Sequence, residues 1–301
     1  MARIALKVDV DTLRGTLQGV PCLLRMLQQR NVAATFLFSL GPDHTGWALR
    51  RVFRPGFLSK VSRTSVVKHY GLRTLAYGVL LPAPDIGRKA AQPMRDCQRA
   101  GHECGVHTWD HVVWQDQVRE RDPAWTRAQM ALAHARFTDI FGHAPATHGA
   151  AGWQMNGTAL QQIDDWGMAY ASDGRGSGPY RPSVAGRALR HVQHPTTLPT
   201  FDELVGTDNI REGQVHRALL QRTDSDLYRD RDQVFTLHAE LEGGLFAADF
   251  AALLDGWLAQ GHSLVTLGAL HAALGATPVP TRGVAFGEVP GRSGELMVEA
   301  T

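Results

Sequence analysis

The 301-residue sequence predicts an α/β fold closed as a (β/α) barrel. Short apolar runs alternate with amphipathic ones along most of the chain, the mark of a parallel sheet covered by helices. Residues able to do chemistry recur where the apolar runs end: Asp9, Asp11, His107, Asp173 and His238. In a barrel those strand ends form one rim, where such folds carry their sites. The length suits one domain, taken as residues 1–274. An open doubly wound sheet is the competing arrangement, disfavoured because no G-x-G-x-x-G follows the first run.

The elements follow in order. "ARIALKVDVD" is an apolar strand running into carboxylates, and "TLQGVPCLLRMLQQRNV" places Leu23, Leu24, Met26 and Leu27 on a helical period. "AATFLFSLG" is a second buried strand. "RKAAQPMRDCQRAG" is a candidate helix that Pro93 limits or that starts close to Pro93, and "HECGVH" is a short strand ending in histidines. "RDPAWTRAQMALAHARFTDIFG" carries the clearest helix signals: Asp122 as N-cap, Pro123 at the first position and Gly142 at the end. "PATHGAAGW" is a glycine-loosened strand end, "NGTALQQIDDWG" a short helix capped by Asn156, and "MAYASD" a strand entering a Gly-rich loop. "QVFTLHAE" and "SLVTL" are strands flanking the helix "FAADFAALLDGWLAQG". The tail 275–301 shows no period and is expected to be flexible.

Composition narrows the class. The hydrophobic share is 44% and the charged share 20%, ordinary for a globular protein. Three cysteines, Cys22, Cys97 and Cys104, do not make a disulfide framework. The start, "MARIALKVDVD", has no apolar signal region, and no run approaches the ~18 residues of a spanning helix, so a cytoplasmic location is expected. The net charge of +2 hides an asymmetry. Between Gly46 and Pro84 stand Arg50, Arg51, Arg54, Lys60, Arg63, Lys68 and Arg73 with no Asp or Glu, which leaves −5 elsewhere. These residues alternate with apolar ones such as Phe57, the pattern of a segment lying on an anionic membrane surface. A solvated basic subdomain is the other reading. Nothing else in the chain resembles base readout, so nucleic acid is not an expected partner.

Asp9 and Asp11, two apart on a strand, point to one side. Such a pair can be a metal ligand beside a general base, or simply acids at a strand end. His107 and His111, four apart on a helix or tight turn, can reach one ion or stand solvated in a loop. Two histidines and one aspartate leave positions open for water and substrate. His102 reads as structural. His238, ending an apolar strand, is a general-acid candidate only beside a metal site.

"VDVD", "HTWDH" and "TLH" occur in this order, and in it the chain resembles the polysaccharide deacetylase (NodB-like) family. The resemblance implies a distorted (β/α) barrel of the NodB type, with Asp9 as general base, Asp11, His107 and His111 as metal ligands and His238 as general acid. One motif departs from the family: "THGAAGW" lacks the arginine that touches the base. Arg175 is a candidate replacement, and Asp173 a candidate to orient His238 or Arg175. Over nearly all of residues 3–273, including "DVDTLRGT", "SDGRG" and "TLHAELEG", the chain is more similar to the branch of deformylases acting on formamido-arabinose carried on undecaprenyl phosphate. That branch implies a divalent cofactor, zinc first and cobalt, nickel or manganese also suited, and a lipid-linked sugar as partner. It also implies a place on the cytoplasmic face of the inner membrane and a role in lipid A modification and cationic-peptide resistance. A backbone N–H near Gly149–Gly152 is the expected oxyanion donor, and Arg14 a contact for sugar or phosphate. Deacetylation of another amino sugar, or a non-catalytic carbohydrate- or lipid-binding relative, are the alternatives.

Overall fold

The computed structural model describes residues 2–48, 66–207 and 210–300. In chain order the first half contains β1 (Arg3–Val10), α1 (Val20–Gln28), β2 (Thr35–Ser39), α2 (Val66–Ala76), α3 (Ala91–Arg99), β3 (Glu103–Thr108), α4 (His111–Gln117), α5 (Pro123–Phe141) and α6 (Gly157–Asp165). The second half contains β4 (Tyr170–Ala171), β5 (Arg181–Val184), β6 (Arg187–Ala188), β7 (Val192–Gln193), α7 (Val215–Thr223), β8 (Gln233–His238), α8 (Ala247–Ala259), β9 (Ser263–Val265), α9 (Leu267–Leu274), β10 (Thr281–Glu288) and β11 (Glu295–Glu299).

A parallel sheet runs β3-β2-β1-β8, with β9 pairing the start of β1. It closes on itself through short pieces. Val106 of β3 bridges His148, and Ser172 N–H donates to the His148 carbonyl. β4 pairs in parallel with β7. The amides of Thr197 and Leu198 then donate to Val234 O and so return to β8. The result is a distorted (β/α) barrel. Its irregular side is the one where the sequence predicts full strands in "PATHGAAGW" and "MAYASD". Only one bridge and a two-residue strand form there.

Burial of β1 shows how the barrel sorts side chains. Every residue after Arg3 is buried, as both faces of a parallel sheet are covered. Ile4, Leu6, Val8 and Val10 join Phe36, Phe38, Phe235 and Leu237 in the layer beneath the helices. By alternation, Lys7 and Asp9 enter the barrel interior. The helix signals hold. Asp122 Oδ1 accepts from Trp125 N at 2.8 Å, Asn156 Oδ1 accepts from Ala159 N at 2.9 Å, and Gly142 closes α5 at φ +79°.

The tail corrects the expectation of a flexible end. β10 and β11 form an antiparallel pair, and β10 also joins β5. Met297 is buried, and Arg175 N–H donates to its carbonyl at 2.8 Å. The two runs "GVAFGEV" and "ELMVEA" around "PGRSG" are a hairpin pattern that the Pro and Gly content obscured.

Of the residues read as membrane contacts, Arg50, Arg51, Arg54, Phe57, Lys60 and Arg63 lie outside the described residues. Lys68 falls within α2, and Arg73 is exposed at its end. Among the described residues no helix is long and apolar enough to cross a membrane.

Candidate metal centre and acid–base residues

Asp11 follows β1 directly, His107 is the penultimate residue of β3, and His111 opens α4. The two histidines therefore straddle a strand end and a helix start, rather than sharing one helix. Asp110 makes this geometry: its Oδ1 caps α4 by accepting from Val113 N at 3.1 Å, and its other oxygen meets His44 Nδ1 at 2.5 Å. Asp11 Oδ1 lies 3.2 Å from His107 Nε2, and Asp11 Oδ2 lies 3.4 Å from His111 Nε2. Two donors each about 2.1 Å from one tetrahedral ion are about 3.4 Å apart, so these separations fit a shared metal.

Three further facts support that fit. His107 Nδ1 donates to Gly149 O at 2.6 Å, which fixes the tautomer and leaves Nε2 with its lone pair toward Asp11. Asp11 Oδ1 and His107 Nε2 are buried without hydrogen-bond partners, a costly state that an ion relieves. The charges also reinforce each other. Burial pushes Asp11 up, but His111 and His107 outweigh it and hold its carboxyl well below the usual range. Burial pulls His107 down, but Asp9 and Asp11 outweigh that and raise it. The residues present suit a divalent ion.

Asp9 stands beside this group. Its Oδ2 accepts from Lys7 Nζ at 2.8 Å, and its Oδ1 is buried without a partner, 3.8 Å from His107 Nδ1. Lys7 is the residue that sequence reading missed. Its side chain is completely buried and lies 5.4 Å from the Trp153 ring centre. The signal was present: a lysine inside an apolar strand, two residues before Asp9 and so on the same side. Gly149 makes room for it, since a Cβ there would stand 2.9 Å from Lys7 Cε.

His238 pairs in register with Asp9 across β8 and β1. Its Nδ1 is buried without a partner, and its ring meets Trp153 edge-on at 6.3 Å. Its backbone N–H donates to Glu242 at 2.7 Å. Glu240 receives Asp11 N, Thr12 N and Thr12 Oγ1, and so fixes the turn that carries Asp11. Burial first and the nearby Asp11 second push Glu240 up to about 8.

Two expectations for supporting residues are corrected. Asp173 orients neither His238 nor Arg175. Its carboxylate is taken by His148 Nδ1 at 2.6 Å and Gln193 Nε2 at 2.6 Å, deep in the barrel. Arg175 does not reach Asp9. It donates to Glu203 at 2.6 Å and packs 5.2 Å from the centre of the Trp153 ring. Both follow from the ring closure, which turns the Asp173–Arg175 stretch toward β7 and the tail. The Gly149 amide is also spent, since it donates to Val106 O, so among Gly149–Gly152 it is not the oxyanion donor. Gly152 sits at φ +60° against Gln115. Arg292 from the tail lies 4.7 Å from the Trp153 ring centre and pairs with Asp202 and Glu203, which brings the corrected tail to the edge of the site.

The model of the family described as polysaccharide deacetylase matches residues 4–171. A probable 4-deoxy-4-formamido-L-arabinose-phosphoundecaprenol deformylase of Shewanella sediminis is 36% identical over 254 residues, 84% of this chain and 81% of the relative. Its counterpart from Wigglesworthia glossinidia brevipalpis is 30% identical over 243 residues, 80% of this chain and 83% of the relative. Among solved structures, a putative polysaccharide deacetylase from Mycobacterium smegmatis superposes with a TM-score of 0.65 at 18% identity, covering 96% of this chain and 95% of its own. A probable polysaccharide deacetylase from Pseudomonas aeruginosa PAO1 gives 0.60 at 17%, covering 91% of each. These two share the fold. With a family model over more than half its length and relatives at this identity, the chain belongs to the polysaccharide deacetylase family.

Proposed function

We propose that this amide hydrolase removes the formyl group from a 4-formamido-arabinose linked through phosphate to a polyprenol. The observation that carries the chemistry is the convergence of Asp9, Asp11, His107, His111 and His238 at one end of the barrel. The substrate rests on the similarity to the two deformylases over four-fifths of the chain. Asp11, His107 and His111 would hold the ion, zinc first among cobalt, nickel and manganese. A divalent ion bound there supplies Lewis acidity and a more acidic water. Asp9 takes the proton of the attacking water on Oδ1, the oxygen that Lys7 leaves open. Lys7 holds the other oxygen and compensates the charge of the carboxylate in the dry interior. His238 delivers a proton to the sugar nitrogen as the C–N bond breaks. Water is consumed, and formate and the free 4-amino sugar leave.

The test is formate release from the polyprenyl-linked sugar by enzyme of measured metal content. One divalent ion per chain and stoichiometric formate are expected, with activity lost on chelation and recovered on adding metal. Acetate from an N-acetyl analogue at equal or greater rate would make the enzyme a deacetylase instead. A chain that binds no ion and releases neither acid would be a binding protein.

The membrane reading is part of the same proposal. Leu72, Val79 and Leu80 are 75%, 54% and 83% exposed along the described end of the basic segment, where Arg73 also stands. Apolar tips beside cations suit an anionic bilayer on the cytoplasmic face. Co-sedimentation with phosphatidylglycerol vesicles is expected and should weaken with salt. Equal binding after deletion of residues 49–81 would overturn it.

A further inference from the structure

We infer, on the acid and base roles assigned above, that Trp153 is a positioning residue, which holds His238 and the Lys7–Asp9 pair in one fixed arrangement. β1 and β8 place four side chains side by side toward the barrel interior: Lys7 beside Thr236, and Asp9 beside His238. Trp153 engages three of these four. Its ring centre lies 5.4 Å from Lys7 Nζ and 6.3 Å from the centre of the His238 ring, which it meets edge-on. Its indole N–H donates to Thr196 Oγ1 at 3.1 Å, and Thr196 Oγ1 lies 2.6 Å from Thr236 Oγ1. Thr236 stands two residues before His238 on β8, so this link reaches the segment that carries the acid. Trp153, Thr196 and Thr236 are all buried, which keeps water from competing for the link.

The backbone is bent to deliver this ring. Trp153 has φ +52°, a left-handed conformation that a bulky side chain rarely adopts. Gly152 before it is left-handed as well, at φ +60°, and Trp153 N–H donates back to Ala150 O at 3.1 Å. Such strain persists where surrounding contacts over-determine it, and here they do. Arg175 lies 5.2 Å and Arg292 4.7 Å from the ring centre, within cation–π reach, and both arginines are anchored on Glu203.

His238 depends on such a holder. Its Nδ1 has no hydrogen-bond partner among the described residues. Its N–H bond to Glu242 fixes the backbone and not the imidazole. Asp173, the acid expected to orient it, is taken by His148 and Gln193. Contact with the Trp153 ring therefore sets the direction of the imidazole, and the Thr196 link holds that ring in place.

The test uses the zinc-loaded full chain. Thr196→Val removes the link without touching the indole or His238, and Trp153→Phe removes the same N–H while keeping a ring. Each is expected to lower kcat for formate release about tenfold, with KM within about twofold of wild type. The double variant should fall no further than either single one, because all three lose the same link. Trp153→Leu removes the ring and is expected to lose about 10²-fold in kcat. Zinc content should not change in any of them. If Trp153→Leu does not fold, the other three variants carry the test.

The second measurement is the carbon–proton NMR signal of the His238 imidazole, identified by its loss in His238→Gln. Trp153→Leu gives the position of this signal without the indole beside it. In Thr196→Val the signal should lie between that position and wild type, as the indole loosens. A signal at the wild-type position in Thr196→Val overturns the positioning role. So do losses that multiply in the double variant, or a KM that rises while kcat holds, the mark of a substrate contact. The NMR measurement needs no turnover. A signal that moves in a chain releasing no formate would therefore keep the positioning role and remove the deformylase reading, and formate release with an unmoved signal would do the reverse.

Discussion

Asp9→Asn is expected to lower kcat for formate release by about 10³-fold while one metal ion per chain stays bound. The asparagine keeps the size of the side chain but cannot take a proton, and a positioned general base contributes roughly 10²–10⁴-fold. Asp11, His107 and His111 are untouched, so metal content should not change. The same substitution leaves Lys7 buried opposite a neutral group. Because the amide oxygen still accepts from Nζ, the stability loss should fall at or below the low end of the roughly 3–5 kcal/mol typical of breaking a buried pair. Steady-state kinetics, metal analysis and a urea midpoint check all three. Turnover within tenfold of wild type, or loss of the ion, would remove Asp9 from the base role.

Lys7→Met should cost more stability and nearly as much activity. Methionine fills most of the volume but leaves the Asp9 carboxylate uncompensated in the barrel interior, where Asp9 is 3% exposed and Lys7 0%. Removing one partner of such a pair costs about 3–5 kcal/mol. The carboxylate then swings free of the bond at Oδ2, and a displacement near 1 Å of a reacting group can cost about 10²-fold in rate. The fall is expected in kcat, with KM little changed, because Lys7 meets Asp9 and not the substrate. The double variant Lys7→Met/Asp9→Asn separates the roles. It should regain most of the lost stability, since no unpaired charge remains, and stay inactive. A Lys7→Met enzyme with kcat within threefold of wild type would refute the positioning role.

Lys7 also shows why part of the site was legible and part was not. Asp9, Asp11, His107 and His111 are legible because "VDVD", "HTWDH" and "TLH" in this order carry the family resemblance that implies their roles. Those residues are now found within reach of one another. The sequence reading takes the partner of the base from Arg175, because "THGAAGW", the motif that usually supplies an arginine, has none. The structure supplies it from the same strand, two residues before the base. Strand periodicity places Lys7 and Asp9 on one side, but it does not say that this side is the closed interior, where a lysine must find an acid. Asp173 was legible as a buried acid at a strand end, but its partner His148 comes from a stretch that forms one bridge and no strand.

The sequence by itself determined the alternation of strands and helices, the caps of α5 and α6, the acid pair and the histidine pair. These depend on neighbours a few residues apart, within the range over which helix and strand periods act. Tertiary structure decided which strands close the ring, which cation meets Asp9, and that the tail forms β10 and β11 and brings Arg292 to Trp153. Each of those is a contact between distant segments or a choice between two sides of a strand. A buried charge or an orphaned backbone group is costly until a partner is found. Which partner lies within reach depends on where the barrel closes.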